Sequence, residues 1–117
     1  HSRLWGCLFE GLEKNTGLES LDISYTNIGT MYFNLVINFL KTNKTLKTLF
    51  MAGNLLGNNS IAELAGILEE NNCSLRSIYL DHNKITGIGM SALFKCLKTN
   101  CILEKLVLNG NIIKLAV

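Results

Sequence analysis

The pattern L-x-x-L-x-L-x-x-N-x-L recurs along this chain at a period of about 28 residues, opening at Leu18, Leu46, Leu75 and Leu103. The copies read Leu18, Leu21, Ile23, Thr26, Ile28; Leu46, Leu49, Met51, Asn54, Leu56; Leu75, Ile78, Leu80, Asn83, Ile85; and Leu103, Leu106, Leu108, Asn111, Ile113. Apolar residues alternate over the first six positions of each copy, as in a short strand with one buried face. One unit of this size cannot bury its own apolar side, but stacked copies share a continuous core and pair their strands. The period therefore restricts the chain to a solenoid.

A helix is expected in the second half of each unit. Counting each opening leucine as position 1, position 19 is Val36, Leu64 and Leu93 and position 23 is Leu40, Leu68 and Leu97, an i, i+4 apolar stripe that Leu8 and Leu12 continue backwards. Trp5, Phe33, Ile61 and Met90 form one core column at position 16, and Phe9, Ile37, Ala65 and Phe94 another at position 20. Met31 to Leu40 is apolar on most sides, which predicts either cover from elsewhere or an adhesive convex surface, although core packing accounts for most of it. Ser60-x-x-Glu63 has the form of a capping box for the second of these helices. The recurring asparagine is expected to bond backbone groups that the curving loop leaves without ladder partners. Thr26 breaks that series, so the first rung should be weaker.

On these residues the chain resembles the leucine-rich repeat family, and within it the intracellular, ribonuclease-inhibitor-like subtype with 28 or 29 residues per repeat. Gly29, Gly57 and Gly87 between strand and helix, and Asn15, Asn43, Asn72 and Asn100 three residues before each opening leucine, add to the likeness. The resemblance implies an α/β horseshoe arc with a parallel β-sheet on the concave face, α-helices on the convex face, and a protein as ligand. The fold is better specified than the task, because fold does not imply function.

One domain spanning 1–117 is expected, with a partial repeat at 1–17, repeats at 18–45, 46–74 and 75–102, and a partial repeat at 103–117. Apolar residues make up 48% of the chain, enough for a packed core. No apolar run of membrane-spanning length and no signal-peptide pattern occurs, so a soluble cytoplasmic protein is the expectation. Both ends are cut through the repeat register, with apolar Trp5, Leu8 and Leu12 at one end and Ile112, Ile113, Leu115 and Val117 at the other. That predicts a piece of a longer array, able to self-associate through uncapped ends.

Other chemistries find little support in the sequence. Cys7, Cys73, Cys96 and Cys101 lack metal-ligand spacing, so no metal and no cofactor are expected. Stacking would bring Cys73 and Cys101 near one another, yet two small side chains filling equivalent turns of a reduced protein is the plainer reading. Asn43-Lys44-Thr45, Asn58-Asn59-Ser60 and Asn72-Cys73-Ser74 match the glycosylation pattern, but two of them use the structural asparagine. A net charge of +2 with interleaved signs argues against a nucleic-acid partner. The rows Glu13, Lys41, Glu69, Lys98 and Glu19, Lys47, Arg76, Glu104 instead suggest lateral pairing on solvated faces. Gly87-x-Gly89-x-x-Ala92 imitates a dinucleotide fingerprint without its distal acidic residue and is read as a repeat turn. Ser77, Asp81 and His82 lie along one extended segment, an arrangement that does not converge as a triad does. No enzymatic activity is expected.

Strand residues facing away from the core are left to carry function. The expected partner-binding set on the concave face is Asp22, Tyr25, Thr48, Phe50, Ser77, Tyr79, Asp81, His82, Lys105 and Val107. Within it, Asp22, Phe50, Tyr79 and Val107 fall in one row, with Phe50 and Tyr79 adjacent as aromatic anchors. Cross-strand packing is the competing explanation for the pair. The resulting expectation is a non-catalytic scaffold that binds a protein, with no nucleic-acid or membrane partner. Within the resemblance the alternatives are an enzyme regulator like the Ran GTPase-activating proteins, a cytoskeletal domain like that of tropomodulin, or a bacterial effector. The regulator's acidic tail is missing, and none of its site residues can be matched here.

Overall fold

A computed structural model describes residues 2–70, 74–100 and 102–112. Helices and strands alternate as α1 (Ser2–Lys14), β1 (Ser20–Asp22), α2 (Gly29–Thr42), β2 (Thr48–Phe50), α3 (Gly57–Glu69), β3 (Ser77–Tyr79), α4 (Gly87–Cys96) and β4 (Lys105–Val107). All four strands pair in parallel in chain order. Register follows the repeat: Leu21, Leu49, Ile78 and Leu106 are successive partners, and so are Asp22, Phe50, Tyr79 and Val107. Helices pack about 8–10 Å apart but strands only about 4.8 Å apart, so a stack of such units curves with its sheet on the inner side. This is the expected α/β solenoid.

Its core lies between the sheet and the helices. Leu46, Leu49, Leu75 and Ile78 are fully buried from the strand side, and Val36, Leu64 and Leu93 from the helix side. The position-16 column is buried at Phe33, Ile61 and Met90, with Trp5 packed partly against it. Met31–Leu40 is no exposed apolar surface: Phe33, Val36, Ile37, Phe39 and Leu40 are buried, because α2 lies between α1 and α3, and only Met31 stands clear. Phe9 and Phe39 meet edge to face at 5.8 Å across the first helix pair.

Asparagines stitch the units together. Asn83 is fully buried; its Oδ1 accepts the Asn54 amide at 2.8 Å and its Nδ2 donates to the Met51 carbonyl at 2.8 Å, both in the preceding unit. Asn111 repeats this toward Asn83 N–H and Leu80 O, and Asn54 donates to Ile23 O while accepting from Ile28 N–H. Thr26 takes a smaller share, its hydroxyl donating to Ile23 O and meeting Asn54 Oδ1. A second series leads into β1, β2 and β4: Asn15 Oδ1 accepts from Gly17 and Leu18, Asn43 from Thr45 and Leu46, and Asn100 from Ile102 and Leu103. Each is an asparagine turn that satisfies amides before pairing begins.

Four expectations are corrected. The Ser60–Glu63 capping box does not form, because α3 begins at Gly57 and places Ser60 inside the helix, 3% exposed and facing the core. Gly87 is not the counterpart of Gly29 and Gly57: those two have φ of +68° and +71°, whereas Thr86 occupies the corresponding place in its unit as an extended N-cap. Capping of α4 comes partly from the previous unit, where Asn58 Oδ1 accepts from the Thr86 and Gly89 amides and Asn58 Nδ2 donates to Thr86 Oγ1. Phe94 and Leu97 fall in core columns by register yet are 54% and 40% exposed, since no further described helix packs on that side of α4. Of the lateral charge pairs, Arg76–Glu104 alone reaches ion-pair distance among the described residues, at 3.8 Å between exposed side chains. Asn72, Cys73, Cys101 and residues 113–117, with the readings placed on them, lie outside the described residues.

Candidate concave binding face

Alternation along each strand sends Leu21, Leu49, Ile78 and Leu106 inward and their neighbours outward. Ser20 and Asp22 on β1 are exposed, Thr48, Phe50, Ser77 and Tyr79 are half-buried, Lys105 is exposed, and Val107 is half-buried. The outward rows are thus Ser20, Thr48, Ser77, Lys105 and Asp22, Phe50, Tyr79, Val107.

Phe50 and Tyr79 are brought together as expected. Their rings stack with centroids 4.4 Å apart and 16° between planes, so one strand spacing becomes one stacking layer. Lys105 Nζ lies 5.1 Å from the Tyr79 centroid, over the ring. This contact is diagonal, from the outer row at Lys105 to the next row at Tyr79, and the row-by-row reading of the sequence did not bring it out. A cation above the negative face of an aromatic ring contributes about 0.5–1 kcal/mol when exposed. Asp22 is the paired neighbour of Phe50 on the other side, and its Oδ1 accepts the Ser24 amide at 3.0 Å.

Tyr25 and His82 are not part of this row. Both have left-handed backbone, φ 55° and 54°, on the loop edge beyond the strands, and both are exposed. Each ring lies against a glycine of the next unit, Tyr25 on Gly53 and His82 on Gly110, where a Cβ would collide with it. The signal was available as the column Tyr25, Gly53, His82, Gly110, in which rings alternate with the residue that makes room for them.

Asp81 sits farther along β3's exit, and its Oδ1 is shut from solvent with no hydrogen-bond partner. No hydrogen bond links Ser77, Asp81 and His82 into a relay among the described residues. Cys96 is buried, donates to Leu93 O, and has its thiol pushed up by burial and by the Glu69 carboxylate, which opposes thiolate chemistry. No group of His, Cys, Asp and Glu among the described residues could hold a metal ion. No described helix is long and apolar enough to cross a membrane.

Comparison with known proteins agrees with this architecture. A family model described as a leucine-rich repeat matches residues 14–30 and 71–94, which supports the leucine-rich repeat family. A curated human protein, NACHT, LRR and PYD domains-containing protein 5, is 29% identical over 94 residues, covering 80% of this chain. The match spans only 8% of that protein's length. Among solved structures, the leiomodin-1 actin-binding site 2 superposes with a TM-score of 0.80 at 21% identity, covering 88% of this chain and 60% of that one. The likeness is one of fold.

Proposed function

We propose that the chain is a non-catalytic protein-interaction scaffold of the ribonuclease-inhibitor-like subtype, acting in the cytoplasm through its concave sheet. The observation that carries this reading is the half-exposed Phe50–Tyr79 stack at the centre of a sheet face whose remaining side chains are short or polar. Rigid aromatic surface held on a fixed backbone costs little entropy on binding, which is why such residues dominate interface energies. Its test uses a partner recovered by cross-linking to this protein, measured against the unaltered chain and against Phe50→Ala/Tyr79→Ala. Affinity should fall by about a hundredfold, the effect of losing roughly 2 kcal/mol or more at a hot spot with allowance for non-additivity. The stack also holds the sheet, so the same variant should lose about 1–2 kcal/mol of stability. Loss of stability with unchanged affinity would leave the pair a packing feature and sink the proposal.

A cytoskeletal role is the second reading, favoured by the superposition on a domain titled as actin-binding. Co-sedimentation with actin decides it. Binding that survives the double alanine change would place an actin contact off the concave face.

A further inference from the structure

We propose that the concave face seats an arginine side chain of the protein partner, its guanidinium stacked on the outer face of Phe50 and paired with Asp22. The inference rests on the scaffold reading above and names the chemistry of its ligand. Three observations converge on this place.

First, the aromatic stack is asymmetric. Tyr79 covers one face of Phe50, and Lys105 covers the far face of Tyr79. The other face of Phe50 looks toward β1, one strand spacing of about 4.8 Å away, which is also the separation at which a planar group stacks. Second, β1 presents only short side chains there: Ser20, Asp22 and Ser24 occupy the positions that hold Thr48, Phe50 and Ala52 on the next strand. The result is an aromatic wall beside a low polar floor, open to solvent at Ser20 and Asp22. Third, the floor carries a carboxylate. Asp22 is the direct partner of Phe50, and the Ser24 amide fixes its Oδ1 at 3.0 Å and leaves Oδ2 available.

Lys105 already shows that a cation is accepted at one end of this stack. At the opposite end the adjacent charge is negative, so a cationic ligand is attracted by the ring face and by the carboxylate together. A flat layer above β1, bounded by a ring on its side and a carboxylate below, suits a guanidinium better than an ammonium. Arginine stacks as a plane and forks onto carboxylate oxygens, whereas lysine offers a strongly hydrated point charge.

A displayed library of random short peptides selected on the chain tests the assignment, with Phe50→Ala and Asp22→Asn as counter-screens. Asparagine keeps the acceptor for the Ser24 amide, so thermal unfolding of Asp22→Asn should match the parent and confirm its fold. The expected result is a set of peptides sharing one arginine, whose replacement by citrulline or lysine weakens binding about tenfold. Binding should vanish on Phe50→Ala, and Asp22→Asn should abolish the preference for arginine over citrulline. Phe50-dependent peptides without a shared arginine, or with one indifferent to Asp22→Asn, would overturn the arginine seat and leave the scaffold reading standing. Peptides indifferent to Phe50→Ala, or none selected at all, would count against both.

Discussion

Replacing Asn83 by alanine should be among the most damaging single changes to this fold, although it removes no apolar surface. Asn83 is fully buried and supplies an acceptor to Asn54 N–H and a donor to Met51 O, each at 2.8 Å, with a longer bond of 3.4 Å from Leu56 N–H. Alanine leaves at least two of these backbone groups without partners in a region closed to solvent. Each buried group left unsatisfied costs about 1–3 kcal/mol. Water entering the space vacated by the amide can recover part of that loss, so about 3 kcal/mol is expected. A chain of this length is stable by roughly 6–17 kcal/mol, so the loss is a large fraction of the total.

Urea titration followed by far-ultraviolet circular dichroism measures the change, and Asn109→Ala is the matched control. Asn109 is exposed, so its side chain can be removed within about 0.5 kcal/mol. In thermal unfolding the Asn83 variant should melt roughly 10 °C lower, at a few degrees per kcal/mol for a domain of this size. Should Asn83→Ala fall within 1 kcal/mol of Asn109→Ala, on the order of a single solvated bond, the asparagine ladder would be a consequence of the stacking and not one of its causes.

Other changes probe separate contacts. Gly89→Ala should destabilise by about 1–3 kcal/mol, against the helix-propensity gain alanine normally brings, because its Cβ would meet Asn58 Oδ1 and Ile85 Cγ2 at 2.6 Å; denaturant midpoints report the sign. Peptide mapping after brief treatment with a thiol reagent should find exposed Cys7 modified and buried Cys96 protected until the chain unfolds. Since the folded pKa of Cys96 is raised, the neutral thiol is favoured in the native state; stability from this residue is full below the unfolded thiol pKa and falls as pH rises through the folded value. Cys96→Ala should flatten that alkaline slope. Glu104→Gln should shift stability by less than about 0.5 kcal/mol, as the Arg76–Glu104 pair is exposed and long.

Strand positions, register and the Phe50–Tyr79 neighbourhood were legible because a repeat fixes them twice over: alternation of leucines sets which face is buried, and the period sets which residues face one another. What escaped the reading depends on contacts between units that no local pattern encodes. Ser60-x-x-Glu63 satisfies a capping rule within its own segment, but the helix starts earlier, and it is Asn58, one unit back, that caps α4 around Thr86. Gly87 and Gly89 looked like turn glycines by spacing. Only the second has a packing reason, the close approach of α4 to Asn58 and Ile85, and that arises from tertiary contact. The column reading of Phe94 assumed a neighbour on both sides of every helix, and the described residues provide one on a single side.

The same geometry explains why the concave row can change its chemistry without endangering the fold. Inward leucines, the asparagine ladder and the helix columns hold each unit to its neighbours. Phe50 and Tyr79 take part mainly through each other, so their stabilising share is about 0.5–1.5 kcal/mol beyond area burial. That is smaller than the cost expected at Asn83, yet enough to hold both rings in a fixed orientation before any partner arrives. Thr48 and Ser77 flank the rings with small side chains, and Asp22 and Lys105 set opposite charges at the two ends of the stack. A partner that meets this face finds an ordered aromatic surface with a built-in polarity, and the binding energy is not spent on immobilising it. Exchanging the two charges, Asp22→Lys with Lys105→Asp, should therefore reverse which end of the stack accepts a cation while leaving unfolding cooperative.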